Sequence, residues 1–195
     1  MKLTELENPP AYELTAGLEL YRIQRNAIRR GAKKIGPLRL SPPGLLKGRF
    51  DLPDDVVGYF AETPETAGYE CLARREAVSM SYEEVAQREL LCVTVTRNLK
   101  LLDLRALATA WPVLQALRFA STQELAVSVR DAGFAGIIYR SAQQAGMDAM
   151  ALFGAHLKAL RLAWSEPLVE PGTGNLHSLI ADIARGAELA VLPPS

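Results

Sequence analysis

The stretch from Leu90 to Thr96 (LLCVTVT) constrains the fold most. It is nearly continuous in apolar and β-branched residues, the content that suits a packed, pleated surface, so it belongs at the centre of a sheet. Other strands are available to surround it. Leu18 to Gln24 (LELYRIQ) alternates, with Leu18, Leu20 and Arg22 on one parity and Tyr21 and Ile23 on the other. Asp55 to Glu62 carries Val56, Val57, Tyr59 and Phe60. Leu99 to Leu102 is expected to continue the central strand or pair with it across the Arg97-Asn98 turn. Phe134 to Tyr139 (FAGIIY) reads as a buried strand, and Met147 to Phe153 and Leu157 to Trp164 read as further strands.

Helices fall between these runs. Thr63 can cap a helix whose first position is Pro64, where no backbone N–H is needed. Ser81-Tyr82-Glu83-Glu84 has the form of a capping box. Leu104 to Ala120 has helical spacing broken near Pro112, and Ser121 is expected to cap a helix reaching Ala132, with Gly133 as its stop. Asn175 is expected to cap a last helix to Arg185, stopped by Gly186. Met1 to Gly17 reads as a polar approach segment, and Arg25 to Lys47 as a long loop with one short strand at Leu38 to Leu40, suited to a lid or rim. Short strands mixed with helices, without a repeated βαβ unit, point to α+β.

Charge and motifs exclude several functions. Lys plus Arg and Asp plus Glu both number 22, so bulk charge gives no case for nucleic acid or an anionic membrane. The basic run Arg25 to Lys34 reads as a solvated or partner-facing patch. No dinucleotide fingerprint, P-loop or HExxH is present. Cys71 and Cys92 lack metal-ligand spacing and read as reduced thiols; His156 and His177 lack a triad or metal pattern, and no metal is expected. No apolar run reaches the roughly 20 residues of a membrane span, and the N-terminus lacks a signal-peptide core, so a cytoplasmic protein is expected.

The chemistry concentrates between Gly48 and Glu70 (GRFDLPDDVVGYFAETPETAGYE). A strand presenting Tyr59 runs into the helix that carries Glu70 about two turns in. Arg49, Tyr59 and Glu70 then supply a cation, an aromatic face and a carboxylate to one cleft. Such a cleft suits a ligand with phosphates, a flat ring and a carbon that becomes cationic.

Three blocks of this chain resemble the RES-domain family, whose name records an arginine, a glutamate and a serine. They are Gly48-Arg49-Phe50 with Tyr59-Phe60-Ala61, then Thr63-Pro64-Glu65-Thr66-Ala67-Gly68-Tyr69-Glu70, then Gly136-Ile137-Ile138-Tyr139-Arg140-Ser141-Ala142 with Leu152-Phe153. The early Tyr21-Arg22 pair fits as well. The resemblance spans about residues 18–160 of a single 195-residue domain, leaving an extension from about 165 to 195. It implies an ADP-ribosyltransferase-like split β-sheet cleft flanked by helices, and degradation of NAD as substrate, with nicotinamide released by hydrolysis or phosphorolysis.

In that light Glu70, Tyr59 and Ser141 are the expected catalytic residues. Arg49 and Arg22 would bind the pyrophosphate, Tyr59 would orient the nicotinamide, and Ser141 would hold the nicotinamide ribose or the attacking nucleophile. The implied partner is a helix-turn-helix antitoxin that carries the DNA binding in a toxin–antitoxin pair; a homodimer is left open. Two departures stand out: Gln143 replaces the family's usual arginine two residues after the serine, and Ala149 replaces its usual asparagine. They motivate the alternative of a degenerate member that binds a nucleotide or partner without turnover. Ser141→Ala is expected to spare stability and lower turnover.

Overall fold

The computed structural model describes residues 1–6, 8–74, 77–115 and 119–194. In chain order its elements are β1 (Ala11–Leu14), β2 (Glu19–Arg25), β3 (Lys33–Ile35), β4 (Leu38–Leu40), β5 (Val57–Ala61), α1 (Pro64–Leu72), β6 (Ser79–Ser81), α2 (Tyr82–Ala86), β7 (Arg88–Val95) and β8 (Leu99–Asp103). There follow α3 (Ala120–Asp131), β9 (Gly136–Arg140), β10 (Asp148–Phe153), β11 (Leu160–Pro167), α4 (Ser178–Gly186) and β12 (Ala190–Leu192). Short 3-10 turns occupy Leu3–Glu5, Pro112–Gln115 and Gly154–Ala159.

Eight strands form one sheet in the order β1-β8-β9-β10-β5-β2-β7-β11, antiparallel at every junction except the parallel β8/β9 pair. The apolar run chosen from the sequence is β7, paired along β2 on one edge and β11 on the other, with Cys92 and Val93 fully buried. Because both its edges are taken, β8 cannot close a hairpin on it. The chain instead crosses to the far half of the sheet, where β8 lies between β1 and β9.

The sheet is curled. Leu14 of β1 and Leu160 of β11 come from opposite edges, yet share one apolar cluster with Leu20, Val93, Leu101 and Met150. Its outer face is covered in two places. Leu125, Ala126 and Val129 of α3 pack on Ile137, Ala151 and Phe153, while Ile180 and Ile183 of α4 pack with Ile23 and Leu90. A methyl group on Gly68 of α1 would run into the Ile183 side chain, which accounts for glycine at that helical position. The result is a mixed α+β fold with a curled sheet and flanking helices.

Between the two covers the sheet is weakest. β2 and β5 share a single register pair, Tyr21↔Ala61, before they diverge. Backbone groups facing such a gap need other partners, and Arg22 provides one by donating from Nη1 to the Tyr59 carbonyl at 2.9 Å.

Several local expectations change. The N-terminal segment contains β1, an edge strand too short for its alternation to be read, since only Leu14 is buried in it. The 25–47 loop folds β3 and β4 into a hairpin, pinned to β2 where Gln24 accepts from the Arg39 amide at 2.9 Å and donates to the Pro37 carbonyl at 3.1 Å. Leu104, Leu107 and Trp111 imitate helical spacing, but that stretch forms turns up to the 3-10 turn at Pro112–Gln115. There Arg105 is drawn back to Asp103 and Asp148 at the end of the sheet. Residues 116–118 of the expected Leu104 to Ala120 helix lie outside the described residues. α3 starts one residue before Ser121, and α4 is capped by His177 rather than Asn175, because a Val169↔Leu176 bridge keeps that loop extended. Among the described residues, no helix is long and apolar enough to cross a membrane.

Candidate active site

α1 forms one wall of a cleft at the β2/β5 divergence. Its start follows from the sequence: Thr63 Oγ1 accepts from the Thr66 amide at 3.1 Å, and Pro64 occupies the first turn. Thr66 and Glu70 are four residues apart and so lie on one helical face. Both reach the turn after β9. Thr66 Oγ1 donates to Gln144 Oε1 at 2.8 Å, and Ser141 Oγ donates to Glu70 Oε1 at 2.5 Å. Ser141 Oγ also accepts from the Gln143 and Gln144 amides at 3.1 and 3.0 Å, so the hydroxyl is oriented by its own turn before it meets the carboxylate.

The opposite wall is built around Tyr59. Its hydroxyl donates to Asp51 Oδ1 and accepts from the Phe50 amide, both at 2.9 Å, while Asp51 Oδ2 accepts from the Gly48 amide at 2.7 Å. Burial, reinforced by Asp51, pushes the Tyr59 phenol well above its ordinary pKa. Gly48 is required here: a Cβ at that position would lie 2.5 Å from the Tyr59 hydroxyl oxygen. Arg49 is 8% exposed, donates from Nη1 to the Leu114 carbonyl at 3.0 Å, and places its guanidinium 5.8 Å from the centre of the Tyr139 ring. The Arg49 carbonyl accepts from Thr122 Oγ1 at 2.6 Å, tying this turn to α3.

The fold thus gathers Arg22, Arg49, Tyr59 and Glu70 around one cleft of about 670 Å³, with Ser141 bonded to Glu70 at its wall. Among the described residues, the lining has nine arginine or lysine side chains against three carboxylates, Asp51, Asp55 and Glu70. A neutral chain has therefore concentrated positive charge where a ligand would sit, which favours an anionic one. The buried side-chain polar atoms without a hydrogen-bond partner, among the described residues, are Arg22 Nε, Arg88 Nε and Gln143 Oε1, and all three residues line this cleft. Unpaired buried polar groups are costly, and these three fall together in the residues of one cleft.

Other cleft residues escaped the sequence reading. Tyr139 looked like a core strand residue, yet it lines the cleft; burial and then Glu70 drive its phenol pKa strongly upward, opposed by Arg49 and Arg74. Its position two before Ser141, and that of Arg74 four after Glu70, were the available signals. Cys71 also lines the cleft, accepting from Arg88 Nη1 at 3.3 Å; Cys92 is buried in β7, and both are free thiols. Gln143 stands at the cleft, whereas Ala149 is buried in β10 away from its lining. His156 lies in the 3-10 turn before β11, where burial and then Arg97 lower its pKa, and His177 caps α4; neither lines the cleft. No group of three or more His, Cys, Asp or Glu suited to a metal occurs among the described residues.

A family model described as the RES domain matches residues 19–168. No curated protein matches the chain significantly. Among solved structures, a chain of the crystal structure of the M. tuberculosis MbcT-MbcA toxin-antitoxin complex is similar, with a TM-score of 0.57 and 16% identity over 80% of this chain and 86% of that one. At that identity the likeness concerns the fold.

Proposed function

The chain belongs to the RES-domain family, and from that premise we propose that it degrades NAD by cleaving the bond between nicotinamide and ribose. The observation that carries the reading is the Glu70 carboxylate, held by Ser141 Oγ at 2.5 Å in the wall of a cleft rich in arginine. When this bond breaks, its electron pair goes to the pyridinium nitrogen and nicotinamide leaves neutral. The ribose carbon becomes cationic, as in other oxocarbenium-like glycosyl transfers. A fixed carboxylate interacts more strongly with that cation than with the ground state, and only such a difference accelerates the step. Water then forms the new C–O bond and releases a proton to solvent, or phosphate forms it through one of its anionic oxygens.

In this reading the arginine-rich lining receives the pyrophosphate by charge-assisted hydrogen bonds. Arg49 contributes through the part of its guanidinium not used on Leu114, and the Tyr59 ring, anchored through its hydroxyl, offers a face to the nicotinamide. Ser141, already oriented, passes from Glu70 to a ribose hydroxyl or the nucleophile. The divergence of β2 and β5 supports an ADP-ribosyltransferase-like arrangement of the cleft. We further propose that the protein is the toxin of a toxin–antitoxin pair whose helix-turn-helix partner covers the cleft. The toxin–antitoxin nature of the structurally similar complex supports this.

The test is incubation of the purified protein with NAD and measurement of free nicotinamide, with Glu70→Gln beside it. The variant keeps shape and hydrogen bonding but loses charge, so kcat should fall by at least about 100-fold with KM little changed. Unchanged kcat in a folded Glu70→Gln protein removes Glu70 from the mechanism. Binding of NAD without turnover by the wild type identifies a degenerate member, the reading motivated by Gln143 and Ala149.

A further inference from the structure

We propose that Gln143 recognises the carboxamide of the leaving nicotinamide, so that the cleft selects a neutral amide over a carboxylate on that ring. The inference rests on the reading of the cleft as an NAD site and assigns a group to its reactive end.

Two adjacent glutamines leave the same turn and differ in one respect. Gln144 Oε1 is occupied, accepting from Thr66 Oγ1 at 2.8 Å. Gln143 Oε1 is buried and has no hydrogen-bond partner among the described residues. An acceptor left buried and unpaired is costly. The amide torsion of glutamine is broad and roughly two-fold, so the carbonyl can turn toward an arriving donor without repacking its stem.

The position of Gln143 fixes which part of the ligand supplies that donor. Its backbone amide donates to Ser141 Oγ at 3.1 Å, and that oxygen is bonded to Glu70. The glutamine therefore belongs to the end of the cleft where the ribose–nicotinamide bond is broken. The ribose 2′-hydroxyl sits on the carbon next to the reacting one, the part of the ligand that this reading gives to Glu70 and Ser141. The leaving ring lies one bond further out, and its only donor is the carboxamide N–H₂. Among the charged side chains of the described lining, arginine and lysine outnumber carboxylates nine to three; they supply donors alone, so they cannot receive that N–H. On charge they would favour a carboxylate, and a preference for the amide has the opposite sign and isolates the contribution of Gln143.

The experiment compares NAD with its deamido analogue, nicotinic acid adenine dinucleotide, on the full chain. Release of nicotinamide or nicotinic acid gives kcat/KM, and calorimetry gives affinity. The wild type should favour NAD by about 10- to 100-fold, the range expected for one satisfied buried acceptor. Gln143→Leu should bring that ratio to unity or below through loss on NAD, and Gln143→Arg should lower it further, in favour of the carboxylate. A wild-type ratio near unity, which needs no variant, or a ratio retained in a folded Gln143→Leu protein, overturns the proposal while leaving NAD cleavage standing. Preferential binding of NAD that depends on Gln143 without any turnover supports carboxamide recognition and removes the catalytic reading. Failure to bind either dinucleotide overturns both.

Discussion

Removal of the Ser141 hydroxyl should disturb stability and catalysis together, which differs from the expectation, drawn from the sequence and the family resemblance, that Ser141→Ala spares stability and lowers turnover alone. Ser141 Oγ makes three hydrogen bonds: one donated to the Glu70 carboxylate at 2.5 Å, and two accepted from the Gln143 and Gln144 amides at 3.1 and 3.0 Å. A bond to a charged group contributes about 1.5–3 kcal/mol net, and a neutral one about 0.5–1.5 kcal/mol. The turn is part-buried, so water can replace some of what the two amides lose, and the lower end applies to them. Ser141→Ala should then cost about 2.5–4 kcal/mol. At about 2–4 °C per kcal/mol for a chain of this size, Tm should fall by about 5–15 °C. The share due to Glu70 can be separated by thermal melts of wild type, Ser141→Ala, Glu70→Gln and the double variant. Residues in direct contact should show a coupling of about 0.5–3 kcal/mol. Nicotinamide release, measured on the same proteins at a temperature where all are folded, should fall in Ser141→Ala as well. A Tm drop below about 2 °C together with zero coupling would refute the claim that this hydroxyl joins the third motif block to the second.

Arg49→Ala should weaken NAD binding measured by calorimetry, and Arg49→Lys should restore only part of it, because lysine lacks the planar fork that fits a pyrophosphate; equal affinities would show that the guanidinium serves only Leu114 and the Tyr139 ring. Val93→Ala, at a fully buried position of β7, should cost about 1 kcal/mol or somewhat more in denaturant melts without touching turnover per folded molecule, and an unchanged midpoint would contradict its place in the core. Burial acts to raise the pKa of Asp103, but hydrogen bonds from Arg105 hold it below its ordinary value. A depressed carboxylate contributes stability above its unfolded pKa of about 4 that is lost as pH falls through the folded value. Asp103→Asn should therefore lower stability at pH 7 and flatten the acid limb of a stability–pH profile, and a parallel profile would exclude this pair as a source of acid lability.

What the sequence determined about this protein is what local rules govern. The β7 run, the alternation of β2, the Thr63 cap with Pro64, and the placing of Thr66 and Glu70 on one helical face all follow from propensity, capping and periodicity within a few residues. The resemblance of three short blocks then marked Arg49, Glu70 and Ser141. Pairings across long separations were decided by the tertiary structure. β8 abandons its neighbour β7 because both edges of that strand are occupied. Tyr59 and Asp51 hold the Gly48 turn, so a residue read as a ligand surface is also the support of the arginine beside it. Tyr139 looked like core because its strand is buried, and it became a cleft residue only once α1 and the Gly48 turn were brought against it. The Ser141–Glu70 bond joins residues 71 positions apart. No local propensity encodes such a contact, since it exists only when the turn after β9 and the face of α1 are packed on the same end of a curled sheet.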